Sequence, residues 1–195
     1  MNIFGFKKDE GIAVFVILAV LIGIIALNLQ VSFRKSRDSQ RKSDIRAVHD
    51  ALAAYQNDFG YFPSSLDGDI LACLPDDEID TYRDAESVED VDFKKCRWGW
   101  DSLRDVFDTS YPSYLERLPA DPQHTQGGRY YYVSNGSRFQ IYAALESEDE
   151  DEYSQEIVDR NLPCGDRICN FGRAFSRTPL DKTIEEYENE LRRDE

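Results

Sequence analysis

The sequence lacks a Cys-x-x-Cys pair, a glycine-rich phosphate loop and any arrangement of Ser, His and Asp that matches a nucleophile motif. Those absences argue in turn against dithiol redox catalysis, a nucleotide cradle and acyl transfer, so the chain is expected not to be an enzyme. Histidine is scarce: His49 and His124 are the only two, and neither is near a cysteine in sequence. The cysteine spacings, one C-x4-C and one wide pair, are not the paired C-x2-C of a zinc ribbon, and no metal ligands are assigned. Basic side chains are in deficit, 23 Lys and Arg against 38 Asp and Glu for a net charge of -15, which disfavours nucleic acid because phosphate binding depends on cations. Residues 146–152, ESEDEDE, hold six carboxylates but lack the spacing of a calcium loop and read as a self-repelling segment. No cofactor is expected, with Ca2+ the one ion that such density leaves open.

What is present is unevenly placed. Residues 12–27, IAVFVILAVLIGIIAL, contain no polar side chain, and Leu29 and Val31 extend the run to about twenty residues, enough to cross a bilayer. A core helix in so small a protein keeps a polar face, and a removable secretory signal has a shorter apolar core and a small-x-small cleavage site, missing here. A transmembrane helix over 12–31, behind a leader of 1–11, is therefore expected. Residues 32–46, SFRKSRDSQRKSDIR, carry six basic and two acidic side chains with no Pro or Gly to stop a helix. Ile45, Val48, Leu52, Tyr55 and Phe59 then recur at steps of three and four, so 32–63 reads as an amphipathic continuation, ended by Gly60 and Pro63. An uninterrupted helix over 12–59 would measure roughly 70 Å and could not be buried in this chain, so it must protrude. Charge follows the same division: residues 1–31 are neutral, 32–46 carry +4, and 47–195 carry -19 from fifteen basic and thirty-four acidic side chains.

The remaining 64–195 are expected to form an acidic head. Apolar patches at 70–74 and 103–107 flank an acidic stretch, 76–92, that reads as a solvated loop. Trp98 and Trp100 follow it in KKCRWGWDSL, where they pack on the head or offer a contact face to a partner. Residues 114–118 suggest one or two helical turns. Residues 129–133 and 138–145 are rich in aromatic and β-branched side chains and flank Asn135-Gly136, which predicts an antiparallel hairpin over 129–145 whose Phe139, Ile141 and Ala143 cover the helix stripe. Thr178-Pro179 and the spacing of Leu180, Ile184, Tyr187 and Leu191 predict a C-terminal helix over 179–192. Cys73, Cys96, Cys164 and Cys169 all follow the apolar run, as in an exported domain; of the three pairings that four cysteines permit, the sequence-local one, Cys73 with Cys96 and Cys164 with Cys169, is favoured. The expected fold is α+β, a long protruding N-terminal helix packed on a small antiparallel sheet.

Three stretches carry a family resemblance. Residues 37–45, RDSQRKSDI, with Ala51-Leu52 and the helix exit YQNDFGYFP at 55–63, resemble the conserved helix of type IV pilins and secretion pseudopilins. Leu118-Pro119-Ala120-Asp121-Pro122, Tyr130-Tyr131-Tyr132 and Tyr142-Ala143-Ala144-Leu145-Glu146 are similar to the sheet region of the same family. The resemblance implies a pilin-like fold and a structural subunit of a pilus or pseudopilus filament, with other pilin-like subunits, a prepilin peptidase and the assembly machinery as partners. It also implies cleavage after Gly11, leaving Ile12 as the new N-terminus. The fifth mature position, Glu in the family, is Val16 here, and Asp9 and Glu10 stand where the family is basic. Such departures point to a minor or atypical subunit, or to a single-span anchored binding module that does not polymerise.

The charges flanking the span conflict with that topology. Six Lys or Arg lie within fifteen residues on its C-terminal side and two on its N-terminal side, so the positive-inside rule alone would leave the head in the cytoplasm. The cysteines and the resemblance place the N-terminus in the cytoplasm and the head outside it, anchored in the membrane or carried on a surface filament, with the basic segment near lipid headgroups or acidic neighbours.

Overall fold

No proline and only two glycines, Gly11 and Gly23, fall within residues 8–59, and a lone glycine costs an otherwise good helix only about 1 kcal/mol. In the computed structural model, which describes residues 8–74, 92–108 and 110–193, this stretch is a single α-helix, α1 (Lys8–Phe59). Its 52 residues span about 78 Å at the standard rise. The helix starts ahead of residue 12 and runs through Gly11 unbroken, so no change of backbone marks the expected end of the leader; residues 1–7 lie outside the described residues. At the other end Gly60 takes a φ of 80°, which only glycine adopts cheaply, and its N–H donates to the Gln56 carbonyl at 2.8 Å.

The head is α+β and its strands pair antiparallel. β1 (Ser64–Leu66), β2 (Asp69–Cys73) and β3 (Lys94–Lys95) form one sheet in that order. A second sheet sets β5 (Phe139–Ala143) between β4 (Tyr131–Ser134) and β8 (Phe171–Ala174), while β6 (Pro163–Cys164) and β7 (Arg167–Ile168) make a two-stranded ladder. The turn between β4 and β5 holds Asn135-Gly136, and the register pairs Tyr132 with Ile141. α1 lies against β5 and β8. Ile45, Val48, Leu52 and Tyr55 are buried there with Phe139, Ile141 and Ala143, while Phe59 is half-buried at the helix exit. Two bonds tie that exit to the hairpin: Phe62 N–H donates to the Gly136 carbonyl at 2.7 Å, and the Tyr132 hydroxyl to the Pro63 carbonyl at 2.8 Å.

The alternation in β5 predicts one covered face, whereas all five residues of the strand are buried. Tyr142 packs with Ile157, Cys164 and Cys169 in a second apolar cluster. Gln140 donates to the carbonyls of Pro179 and Lys182 at 2.5 and 2.8 Å. The segment that covers this second face also corrects the expected C-terminal helix. The carbonyls of Pro179, Leu180 and Lys182 are engaged by Gln140, Tyr142 and Arg160, and the helix, α3 (Ile184–Leu191), starts only at the capping box of Thr183 and Glu186. Residues 114–118 are likewise not helical. Pro112 and Pro119 flank them, and Leu115 instead pairs with Leu103 across an isolated bridge, through N–H···O distances of 2.9 and 3.1 Å.

A short helix without a clear sequence signal, α2 (Gln155–Asp159), is capped by the Ser154 side chain. Two disulfides are present, Cys73–Cys96 and Cys164–Cys169, which is the sequence-local pairing. The first closes over residues 75–91, which lie outside the described residues together with most of the acidic stretch 76–92.

Candidate assembly helix and the charged joint that anchors it

The two halves of α1 meet different surroundings. Across the apolar run the head covers none of the described side chains: Ile12, Phe15 and Ile22 are 64, 74 and 65% exposed. By length and composition this half is able to cross a membrane. Gly11, Ile12 and Val16 all lie on it, exposed, and a side chain added at Gly11 would meet nothing within 4 Å. Such a surface is unfavourable in water, at roughly 25 cal/mol for every Å² of apolar area left uncovered.

The change comes at Asp38 and Arg41, 0 and 1% exposed. Both continue the apolar stripe: 38, 41, 45, 48, 52 and 55 follow one another at steps of three and four, so they face the head as the stripe does. Every N–H of the Arg41 guanidinium has an acceptor. Nε and Nη2 grip Asp121 in a fork at 2.7 and 3.1 Å; Nη1 reaches Asp38 at 2.8 Å and Glu146 at 2.9 Å; Nη2 also reaches the Gln123 amide oxygen at 2.9 Å. Glu146 is held a second time, by Arg37 through Nε and Nη2, both at 2.6 Å. Two arginines thus meet three carboxylates. The Asp38 carboxylate accepts, in addition, the backbone N–H groups of Glu146 at 2.8 Å and Ser147 at 3.1 Å.

Burying ions costs several kcal/mol each unless all their hydrogen bonds are made, and here the set is complete for Arg41. Burial works against the Arg41 charge, yet the bonds to Asp121, Glu146 and Asp38 outweigh it and raise its pKa further. The hydrogen bonds from Arg37 hold the Glu146 carboxyl down at about 2, against partial burial and with help from Arg41. One turn on, burial raises the pKa of Asp44, opposed by the Tyr130 hydroxyl that donates to it at 2.6 Å.

The acidic segment 146–152 is not a free loop. Lys42 bridges Glu150 and Glu152, both at 2.7 Å, so three of its six carboxylates face the basic stretch of α1. Arg34, Lys35 and Arg46 make no ion pair with any described residue. Among the described residues no group of three or more His, Cys, Asp or Glu side chains is placed to hold a metal.

The two tryptophans part company. Trp98 is half-buried, donates through Nε1 to Asp69 at 3.0 Å and meets Tyr130 edge-on at 5.6 Å, whereas Trp100 is 80% exposed. Cys73 and Cys96 pin the same region to the core. The sequence carries a signal for the joint that the apolar stripe alone does not show: charged residues in phase with an apolar stripe must be buried with it, and so must find partners. Compared with protein-family models, curated proteins and solved structures, the chain matches none.

Proposed function

We propose that this chain is a structural subunit, minor or atypical, of a type IV pilus or pseudopilus-like filament. The apolar half of α1 would be stored in a membrane and then pack with like helices in a fibre core, leaving the acidic head outside. One observation carries the reading: a continuous helix is gripped by its own head over one half and left uncovered over the other. An uncovered apolar rod of that length needs lipid or other helices around it. A further observation favours the pilin class over a generic anchor. Apart from Gln123, the side chains that meet around Arg41 and Asp44 come from the separate stretches that carry the family resemblance: Arg37, Asp38, Arg41 and Asp44 from the helix, Asp121 and Tyr130 from the middle of the chain, and Glu146 after β5.

Co-expression with a prepilin peptidase, followed by mass measurement, tests the processed form. A new N-terminus at Ile12 supports it, and an unchanged N-terminus removes it. Val16 favours the second reading, a single-span binding module with Trp100 or α3 as its contact face, because the family's Glu at that position would pair with a neighbouring N-terminal amine. A cysteine introduced into the apolar half separates the two: oxidation gives ladders of multimers from a filament and no ladder from an isolated anchor.

A further inference from the structure

Just where the apolar run ends, a cleft of about 440 Å³ opens beside α1, lined by Gln30, Val31, Phe33, Arg34, Arg37 and Glu146. Gln30, Arg34 and Arg37 follow one another at steps of four and three and so share one line of the helix, while Val31 and Phe33, 46 and 60% exposed, flank that line on either side. Glu146 does not set the sign of the cleft, since both its oxygens are taken by Arg37 and Arg41. Arg34 makes no ion pair among the described residues, although Glu150 feels its charge at longer range together with that of Lys35, and its Nε–H is shielded from solvent with no acceptor, which leaves a donor unsatisfied. Lys35, the next residue, has no ion pair with a described residue either.

An occupant that complements this cleft combines apolar chains with an anion that has several acceptor oxygens. With the apolar half of α1 in a bilayer, the cleft lies at the depth of the lipid phosphates, because about twenty residues fill the hydrocarbon thickness and Arg34 follows within one turn. We infer that the cleft holds the headgroup phosphate of an anionic phospholipid, with Arg34 as the cation that binds it and Val31 and Phe33 against the start of the acyl chains. This rests on the membrane reading given above. It also assigns separate uses to the basic stretch: Arg37, Arg41 and Lys42 are bound to the protein's own head, and Arg34 is left to the lipid.

The test uses the full chain reconstituted in nanodiscs of mixed phosphatidylglycerol and phosphatidylcholine, with the lipids retained after release counted by native mass spectrometry. Wild type should retain phosphatidylglycerol over phosphatidylcholine by about tenfold, the worth of one charge-assisted hydrogen bond. Arg34→Gln should abolish the preference and Arg34→Lys should keep part of it. Equal retention of the two lipids, or a preference untouched by Arg34→Gln, overturns the inference. Displacement of the lipid by millimolar inorganic phosphate would also overturn it, in favour of a free anion. Carbonate extraction of membranes from expressing cells is the separate control. A chain that stays in the pellet without lipid preference fails only the cleft, whereas a chain released into the supernatant fails the membrane reading itself.

Discussion

The two halves of α1 share one backbone and almost no other property. In the first half, the described side chains of the apolar run are exposed and are not covered by the head; from Ile12 to Leu27 the sequence has no polar side chain on any face, which suits a surrounding that is itself apolar. In the second half an apolar stripe only one face wide is buried, and the place where it begins is marked by charge, not by oil. A helix can therefore be stable for two unrelated reasons along its length, and each half should respond to a different kind of damage.

The sharpest way to break that comparison is to remove the central cation. Arg41→Ala leaves Asp38 and Asp121 buried without their partner and should destabilise the head by about 3–5 kcal/mol, read as the shift in a urea transition followed by tryptophan fluorescence of the full chain in detergent. Removing the wider disulfide comes next. Cys73→Ala with Cys96→Ala frees a loop of sequence separation 23 and should cost about 3 kcal/mol, against about 2 kcal/mol for the pair of separation 5, Cys164 and Cys169. Acid acts on the joint through Glu146. Its carboxyl is lowered from 4.5 to about 2 by folding, so its contribution is present above pH 4.5 and fades as pH falls toward 2; the shift alone corresponds to about 3 kcal/mol, and with solvent screening of the partly exposed Arg37 the loss should be about 2 kcal/mol and absent in Glu146→Gln. The smallest effect sharpens the contrast: Leu21→Ala, in the uncovered half, should move the urea midpoint of the head by less than about 0.5 kcal/mol, where Leu52→Ala, buried in the other half, should cost at least about 2. Equal costs at the two leucines would mean that the head covers the apolar half after all.

Much of this architecture is legible in the sequence because it is written in local pattern. The apolar run, the stripe from Ile45 to Phe59, the glycine stop and the Asn135-Gly136 turn each depend on residues close together in the chain, and the long helix and the hairpin follow from them. What is not legible depends on distant partners. The second face of β5 is buried because the 160–182 segment returns over it, which no alternation within the strand announces. The C-terminal helix starts later than the local pattern predicts for the same reason: Pro179 offers a good first turn locally, but its carbonyl is engaged by Gln140, 39 positions away. The charged joint stands between these cases. Its phase with the stripe is local and readable, while the identities of Asp121 and Glu146 as partners come only from the fold.

The sharing of partners within that joint has a mechanical consequence. Tension applied to the first half of α1 reaches the head at residues 37–42, and there Arg37 and Arg41 hold one carboxylate while Asp38 holds the two backbone N–H groups that follow β5. Pulling Arg41 away loosens Asp121, Asp38 and Glu146 together, so the bonds do not yield one after another. The attachment is therefore expected to yield as a unit and not bond by bond.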